Sequence, residues 1–438
     1  MKKTRTIATA AAGVLALALT ACSSGGGSSA DIAAKPDFSG SLSILTAGAG
    51  DPMSSYFEDL VADYKKQHPD VKITLAQETD DNAIKDKEKV LIGSQSLPDI
   101  YFSYAGNWGE NFAENGLAAD LSSVIAPGTA WGDTFGTGSV DAFKYGGKYY
   151  GVPLYNDAKF MGYNTKIFSD LGLDVPKTLE QLISDCSTIK AAGYVPIAFG
   201  NKDGWPGLHY LGQLFAYDVP RDALDDDLLP KTAKYTDQGY VEGMKQFQQL
   251  VTACTGDGSN SNGVTYTTAQ QQQATGKAAM YYQELIEFDS VNTDDSQLHK
   301  DGFGIFPLPA PEAAAGDAKT LEAAPEGYMI NQRSKNAALA LDFLKFVTNE
   351  KNATTLSAPP YGQPSAVKDV VTEDIATPAV VEGTKLVNDA PSTVVWLDMA
   401  NVPSVADAWV AASEGLVSGS LSPEDALASV RQASEKAK

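Results

Sequence analysis

The chain has 438 residues, 43% of them hydrophobic and 20% charged, and its 55 acidic and 33 basic side chains give a formal net charge of −22. Such a composition is that of a globular protein, and the length suits two domains or lobes. The negative charge excludes nucleic acid and anionic lipid surfaces as partners and suits a neutral or cationic small ligand better than a phosphate.

Lys2, Lys3 and Arg5 precede an uncharged run from Ile7 to Ala21. That run is shorter than the roughly 20 residues that cross a bilayer, so residues 1–21 read as a secretory signal peptide. The end of the run, Leu19-Thr20-Ala21-Cys22, resembles a bacterial lipobox, in which Cys22 is diacylated and becomes the mature N-terminus. Ser23 to Ser29 supplies a flexible Gly/Ser tether, and residues 22–39 read as that tether. The other reading is a plain secreted protein with a chance cysteine. Processing removes three positive charges, which leaves −25 on about 417 residues. No other segment is long and apolar enough to span a membrane, so anchoring to the outer face of the cell membrane rests on lipid alone.

Leu42 to Leu45 reads as a short buried strand, with a loop from Gly48 to Asp51. From Ser54 to His68, Phe57, Leu60, Val61 and Tyr64 recur at helical spacing, and Val71 to Leu75 is strand-like again. This is a β-α-β start. Asn82 to Ile92 is a second helix, and Leu97 to Phe102 enters a third strand. The alternation argues for an α/β fold with a largely parallel sheet covered on both faces. Gly146 and Gly147 turn between two short extended pieces, Thr178 caps a helix with Gln181 completing a capping box, and Val195 to Phe199 returns as a strand.

Beyond Cys22 only Cys186 and Cys254 remain. The first lies in the helical pattern Thr178 to Ala192, the second after the amphipathic run Val241 to Ala253. They form either one disulfide, worth about 4 kcal/mol in the chain-entropy model, or two buried thiols. With no CxxC pair and no histidine cluster, neither a metal site nor a cofactor is expected.

Five stretches carry a resemblance when taken in order. They are Leu97-Pro98-Asp99-Ile100, then Gly147-Lys148-Tyr149-Tyr150-Gly151-Val152-Pro153, then Tyr163-Asn164-Thr165-Lys166 with Gly172 and Pro176-Lys177-Thr178. Gly276-Lys277-Ala278-Ala279-Met280 and Phe306-Pro307-Leu308-Pro309 follow. Behind a lipobox, they resemble the carbohydrate group (family 1) of extracellular solute-binding proteins of ATP-binding-cassette importers, although Leu179 stands where that family usually has Trp. The resemblance implies a two-lobe, periplasmic-binding-protein-like fold with a hinge and a ligand cleft. Lobe 1 would hold 40–154 and 310–355, and lobe 2 would hold 155–309 and 356–438. It further implies a monomer that captures an oligosaccharide by lobe closure and docks on membrane permease subunits.

A pyranose offers apolar C–H faces and a rim of hydroxyls, so its site needs aromatic platforms beside polar groups. Trp205, between Gly204 and Pro206, reads as an exposed stacking residue, or else as core; His209 reads as a ligand, or else as a helical His packed beneath the loop. Asn107 and Trp108 follow a strand end, and Asn156 and Asp157 lie at the crossing between lobes. Glu284 is the polar candidate where the family commonly has a Gly and a Trp. Trp396 and Asp398, if extended, face the same side. Tyr361 tips a stiff loop, and Glu78 and Asp80 follow the second strand; simple packing and solvated charge are the alternatives. Several aromatics suggest more than one subsite, hence an oligosaccharide.

An enzyme is the contrasting class. A surface glycosidase needs two carboxylates, which this acidic sequence cannot exclude. The chain has neither G-x-S-x-G nor H-E-x-x-H, and Gly146-Gly147-Lys148 is followed by Tyr, so it is no P-loop. A non-catalytic binding protein is therefore expected. Its nearer rival is a carrier of peptide, amino acid or metal.

Overall fold

The structure, a computed structural model, describes residues 30–47, 53–78, 81–229 and 231–438. The readings of residues 1–21, Cys22, the Ser23 to Ser29 tether, the loop at 48–51 and Asp80 lie outside the described residues.

The chain opens as its periodicity indicates. Strand β1 (Ser41–Thr46) leads into helix α1 (Met53–Gln67), which buries Tyr56, Phe57, Leu60 and Tyr64 on one face. Strand β2 (Lys72–Gln77) returns parallel to β1 in the register Ser41 to Lys72 through Thr46 to Gln77. Helix α2 (Asp81–Gly93) precedes β3 (Ile100–Tyr104), fully buried on the other side of β1. Helix α3 (Asn107–Glu114) begins just beyond it.

Strand β4 (Gly151–Asn164) then carries the chain out of this first lobe. Two short extended pieces paired around Gly146 and Gly147 set its direction. In the second lobe, α4 (Leu179–Ala191) leads to β5 (Val195–Ala198), followed by α5 (Trp205–Asp218) and α6 (Gly239–Cys254). Thr178 caps α4 by accepting from the Gln181 amide, while the Gln181 side chain accepts from the Lys177 amide one residue outside the capping-box position. The Cys186 and Cys254 sulfurs, on α4 and α6, are bonded, with Cα atoms 5.2 Å apart.

Strand β6 (Ala278–Glu284) pairs parallel with β5 and antiparallel with the second half of β4, where β7 (Phe303–Phe306) also pairs. Strand β8 (Leu321–Ile330) returns to the first lobe, antiparallel to both β4 and β3. The main path is β2-β1-β3-β8-β4-β6-β5, with β9 (Thr393–Val394) beside β8. The expectation of a largely parallel sheet is corrected: it is mixed. Two strands that traverse one junction in opposite directions pair antiparallel without a crossover helix. The β4–β8 register shifts at Glu326/Gly327, where a Cβ on Gly327 would stand 2.1 Å from the Val152 carbonyl oxygen. Only glycine allows that approach.

The interior divides accordingly. One core gathers β1, β3 and the start of β4 with residues up to Val370 and with Trp396 and Met399, so Leu356, Ala366 and Val367 pack with the first lobe. A second core runs from Met161 through Leu308 and resumes at Val394. The segment joining them near the end includes helices α7 (Leu397–Ala400) and α8 (Pro403–Ser418). No described helix is long and apolar enough to cross a membrane.

Candidate ligand-binding cleft

Side chains of a strand alternate between its faces, and β4 and β8 use that alternation at the junction. Tyr155, Asp157 and Lys159 of β4, with Glu322 and Glu326 of β8, form a polar group. Ala158 and Phe160 of β4, with Leu321 and Ala323 of β8, enter a third, apolar core.

The polar group is closely bonded. Lys159, 2% exposed, places Nζ 2.9 Å from Glu284 Oε1 and 5.0 Å from the centre of the Trp205 ring. His209 Nδ1 lies 3.0 Å from Glu322 Oε2, and its Nε2 lies 3.8 Å from Glu284. Tyr155 donates to Glu326 at 2.7 Å. Asp157 accepts from the Ala158 and Ile286 amides. Burial, then the carboxylates of Glu284 and Glu326, push the Asp157 carboxyl well above the usual range. Burial does the same to Glu322, against the opposing charge of Lys159. Burial, aided by Lys159 and Lys85, holds His209 well below its ordinary value. Burial also opposes the charge on Lys159, but Glu284, Glu287 and Asp157 outweigh it and raise its pKa. Burial thus favours the neutral forms of His209 and Glu322, which face each other, while the surrounding carboxylates favour the charged form of Lys159.

Above this group the lobes enclose a cavity of about 120 Å³, walled from lobe 1 by Lys85, Asn107 and Trp108 and from lobe 2 by Asp203, Trp205 and Asp398. A smaller pocket beneath it reaches His209, Glu284, Glu326 and Trp396. Trp108 is half-buried and donates from Nε1 to Glu88 at 3.1 Å; burial raises the Glu88 carboxyl well above its usual range. Trp205 meets Tyr266 and His209 at ring separations of 5.1 and 5.4 Å, and His209 meets Trp396 at 5.0 Å. Trp205, Asn107, Trp108, His209, Glu284, Trp396 and Asp398 thus converge on one interlobe space.

Three expectations need correction. Trp205 is 9% exposed, because Gly204 and Pro206 start a helix instead of flanking an open loop. Trp396 and Asp398 are not extended: the Met399 and Ala400 amides both donate to the Trp396 carbonyl, which turns the chain into α7. Neither Asn156 nor Asp157 lines the cleft. Adjacent strand residues point to opposite faces, and the Asn156 Oδ1 accepts from Ser139 at 2.7 Å. Asn156 borders a separate cavity of about 500 Å³ with Ser139, Pro325 and Val387. Tyr361 packs against Tyr56 at 5.0 Å, Glu78 pairs with Lys87 at 3.5 Å, and neither lines the cleft.

Sequence reasoning missed Lys85, Lys159, Glu322 and Glu326. A signal was present: Asp157 and Lys159, and likewise Glu322 and Glu326, stand an even number of residues apart in otherwise apolar runs, which places each pair on one strand face.

The sequence profile of the bacterial extracellular solute-binding proteins matches residues 50–354, and the chain belongs to that family. The multiple sugar-binding protein of Streptococcus mutans is 25% identical over 326 residues, 73% of each chain. The diacetylchitobiose-binding protein DasA of Streptomyces coelicolor is 24% identical over 356 residues, 78% of each. A solved structure from work on xylan utilization by the thermophilic bacterium Caldanaerobius polysaccharolyticus superposes with a TM-score of 0.82 at 25% identity, covering 90% of this chain and 99% of that one.

Proposed function

We propose that this chain is the substrate-binding component of an ATP-binding-cassette importer and carries a neutral oligosaccharide to the permease subunits. The observation that carries this reading is the interlobe cavity: two indoles, Trp108 and Trp205, stand among amide and carboxylate groups at the crossing of two lobes. Indole faces suit the C–H faces of a sugar, and carboxylates accept its hydroxyls. The sugar-binding relatives support the same ligand class. Asn107, Trp108, Trp205, His209, Glu284, Trp396 and Asp398 are the proposed contacts. Asp157 acts from beneath, by accepting from the Ile286 amide beside Glu284, and Cys22 carries the lipid that holds the protein outside the cell.

The mechanism is reversible capture without chemistry on the ligand. The lobes hinge about β4 and β8, and a sugar that touches both lobes favours the closed arrangement by its differential affinity for the two states. The test is a thermal-shift screen of residues 23–438 against diacetylchitobiose, maltotriose, raffinose, xylo-oligosaccharides, amino acids and peptides. A ligand at 100 times its dissociation constant adds about 2.7 kcal/mol of stability. A shift with one oligosaccharide class and no turnover is the expected result. A shift with peptides or amino acids alone, or breakdown of a sugar, overturns the reading.

A further inference from the structure

Lys85 and Asp398 meet across the cleft. Lys85 belongs to α2, whose Ile84 is buried in the first core; Asp398 belongs to α7, a helix between the two cores, with Leu397 buried in the second and Met399 in the first. Lys85 Nζ and Asp398 Oδ2 are 3.1 Å apart, with side chains 14% and 13% exposed. Both residues line the interlobe cavity and the pocket beneath it, so a ligand filling that space meets both charges. Each is steered from its own side. The Lys85 ammonium stands 5.2 Å from the centre of the Tyr104 ring, and Asp398 lies in the first turn of α7. The first lobe also meets α7 here through Gly106, where a Cβ would stand 3.0 Å from Val395 Cγ1 and 3.1 Å from the Met399 carbonyl oxygen.

We propose that Lys85 and Asp398 form an interlobe clasp that a sugar splits by inserting a vicinal diol. This rests on the reading of the cleft as a sugar site. One hydroxyl donates to the Asp398 carboxylate, and its neighbour accepts from the Lys85 ammonium. Each half-buried charge exchanges one partner for another, and neither is left unpaired. A ligand carboxylate there would face Asp398, so the clasp selects uncharged sugars over uronates.

The test uses Lys85→Met, Asp398→Asn and the charge-swapped double variant Lys85→Asp with Asp398→Lys, each checked for native circular dichroism. Small-angle scattering of the ligand-free protein should show a larger radius of gyration for both single variants and recovery of the compact form in the swapped one. Calorimetric titration with the oligosaccharide giving the largest thermal shift should show affinity lost by about tenfold to a hundredfold in the single variants, the range for a charge-assisted hydrogen bond. Unchanged scattering overturns the clasp, and unchanged affinity overturns the diol contact. If wild-type protein binds no sugar, the proposed function fails, while the scattering still decides whether the clasp holds the lobes.

Discussion

The two faces of the crossing strands β4 and β8 are built from neighbouring residues yet are opposite in character. One carries Asp157, held by backbone amides, with Tyr155, Lys159, Glu322 and Glu326, bonded to one another or to His209 and Glu284. The other carries small and apolar groups such as Ala158 and Ala323, next to a cavity of about 500 Å³. Period-2 alternation alone produces this contrast. A buried charge remains charged only while its partners are held in place. The polar face therefore fixes the position of Trp205 and Glu284 at the cleft, whereas the other face is packed by small side chains beside an open cavity.

The comparison can be broken most sharply at Lys159. Lys159→Met leaves Glu284 beside Asp157 and Glu322 without its cation and should cost about 3–5 kcal/mol in urea unfolding. Asn156→Ala, on the other face, removes one hydrogen bond with Ser139 and should cost only about 1 kcal/mol. Equal losses would mean that the two faces are energetically alike. The junction itself is tested by Gly327→Ala, whose added methyl collides with the Val152 carbonyl and should cost about 1–3 kcal/mol. At the cleft, Trp205→Ala should weaken binding of the oligosaccharide by about 1–3 kcal/mol in calorimetry. Unchanged affinity in a folded variant would remove Trp205 from the site.

The smallest effect is one of pH. Glu322 has a raised pKa in the folded chain, so its favourable contribution is complete below the ordinary carboxylate value of about 4.3 and is lost as pH rises toward the raised one. Glu322→Gln removes that loss. Its stability relative to wild type should therefore improve as pH rises above about 4.3, by up to about 1.4 kcal/mol per pH unit. His209, whose pKa is lowered, acts with the opposite sign and costs stability as pH falls below about 6.5; because it bonds Glu322, the comparison is repeated in a His209→Gln background. A gap independent of pH would show that Glu322 is ionised.

The β-α-β opening was legible because its strands and helix bury residues at their own periods, as Phe57, Leu60 and Tyr64 do on α1. The antiparallel junction was not, because pairing between β4 and β8 joins residues more than 160 positions apart, and no local pattern encodes it. Most of the cleft candidates were found from residue type and loop position. Their surroundings were misread where local chain geometry decides them. Pro206 begins a helix and buries Trp205, and a turn at Trp396 folds Asp398 toward Lys85. Lys159 escaped notice because one lysine in a buried strand has meaning only beside Glu284, which lies on another strand.

The most direct test of the account is a crystal structure of the protein with the oligosaccharide that shifts its melting most. A sugar ring should lie between Trp108 and Trp205, with hydroxyls on Asp398 and Lys85. A sugar bound instead beside Asn156 and Ser139, on the far face of the crossing strands, or a sugar touching only one lobe, would contradict it.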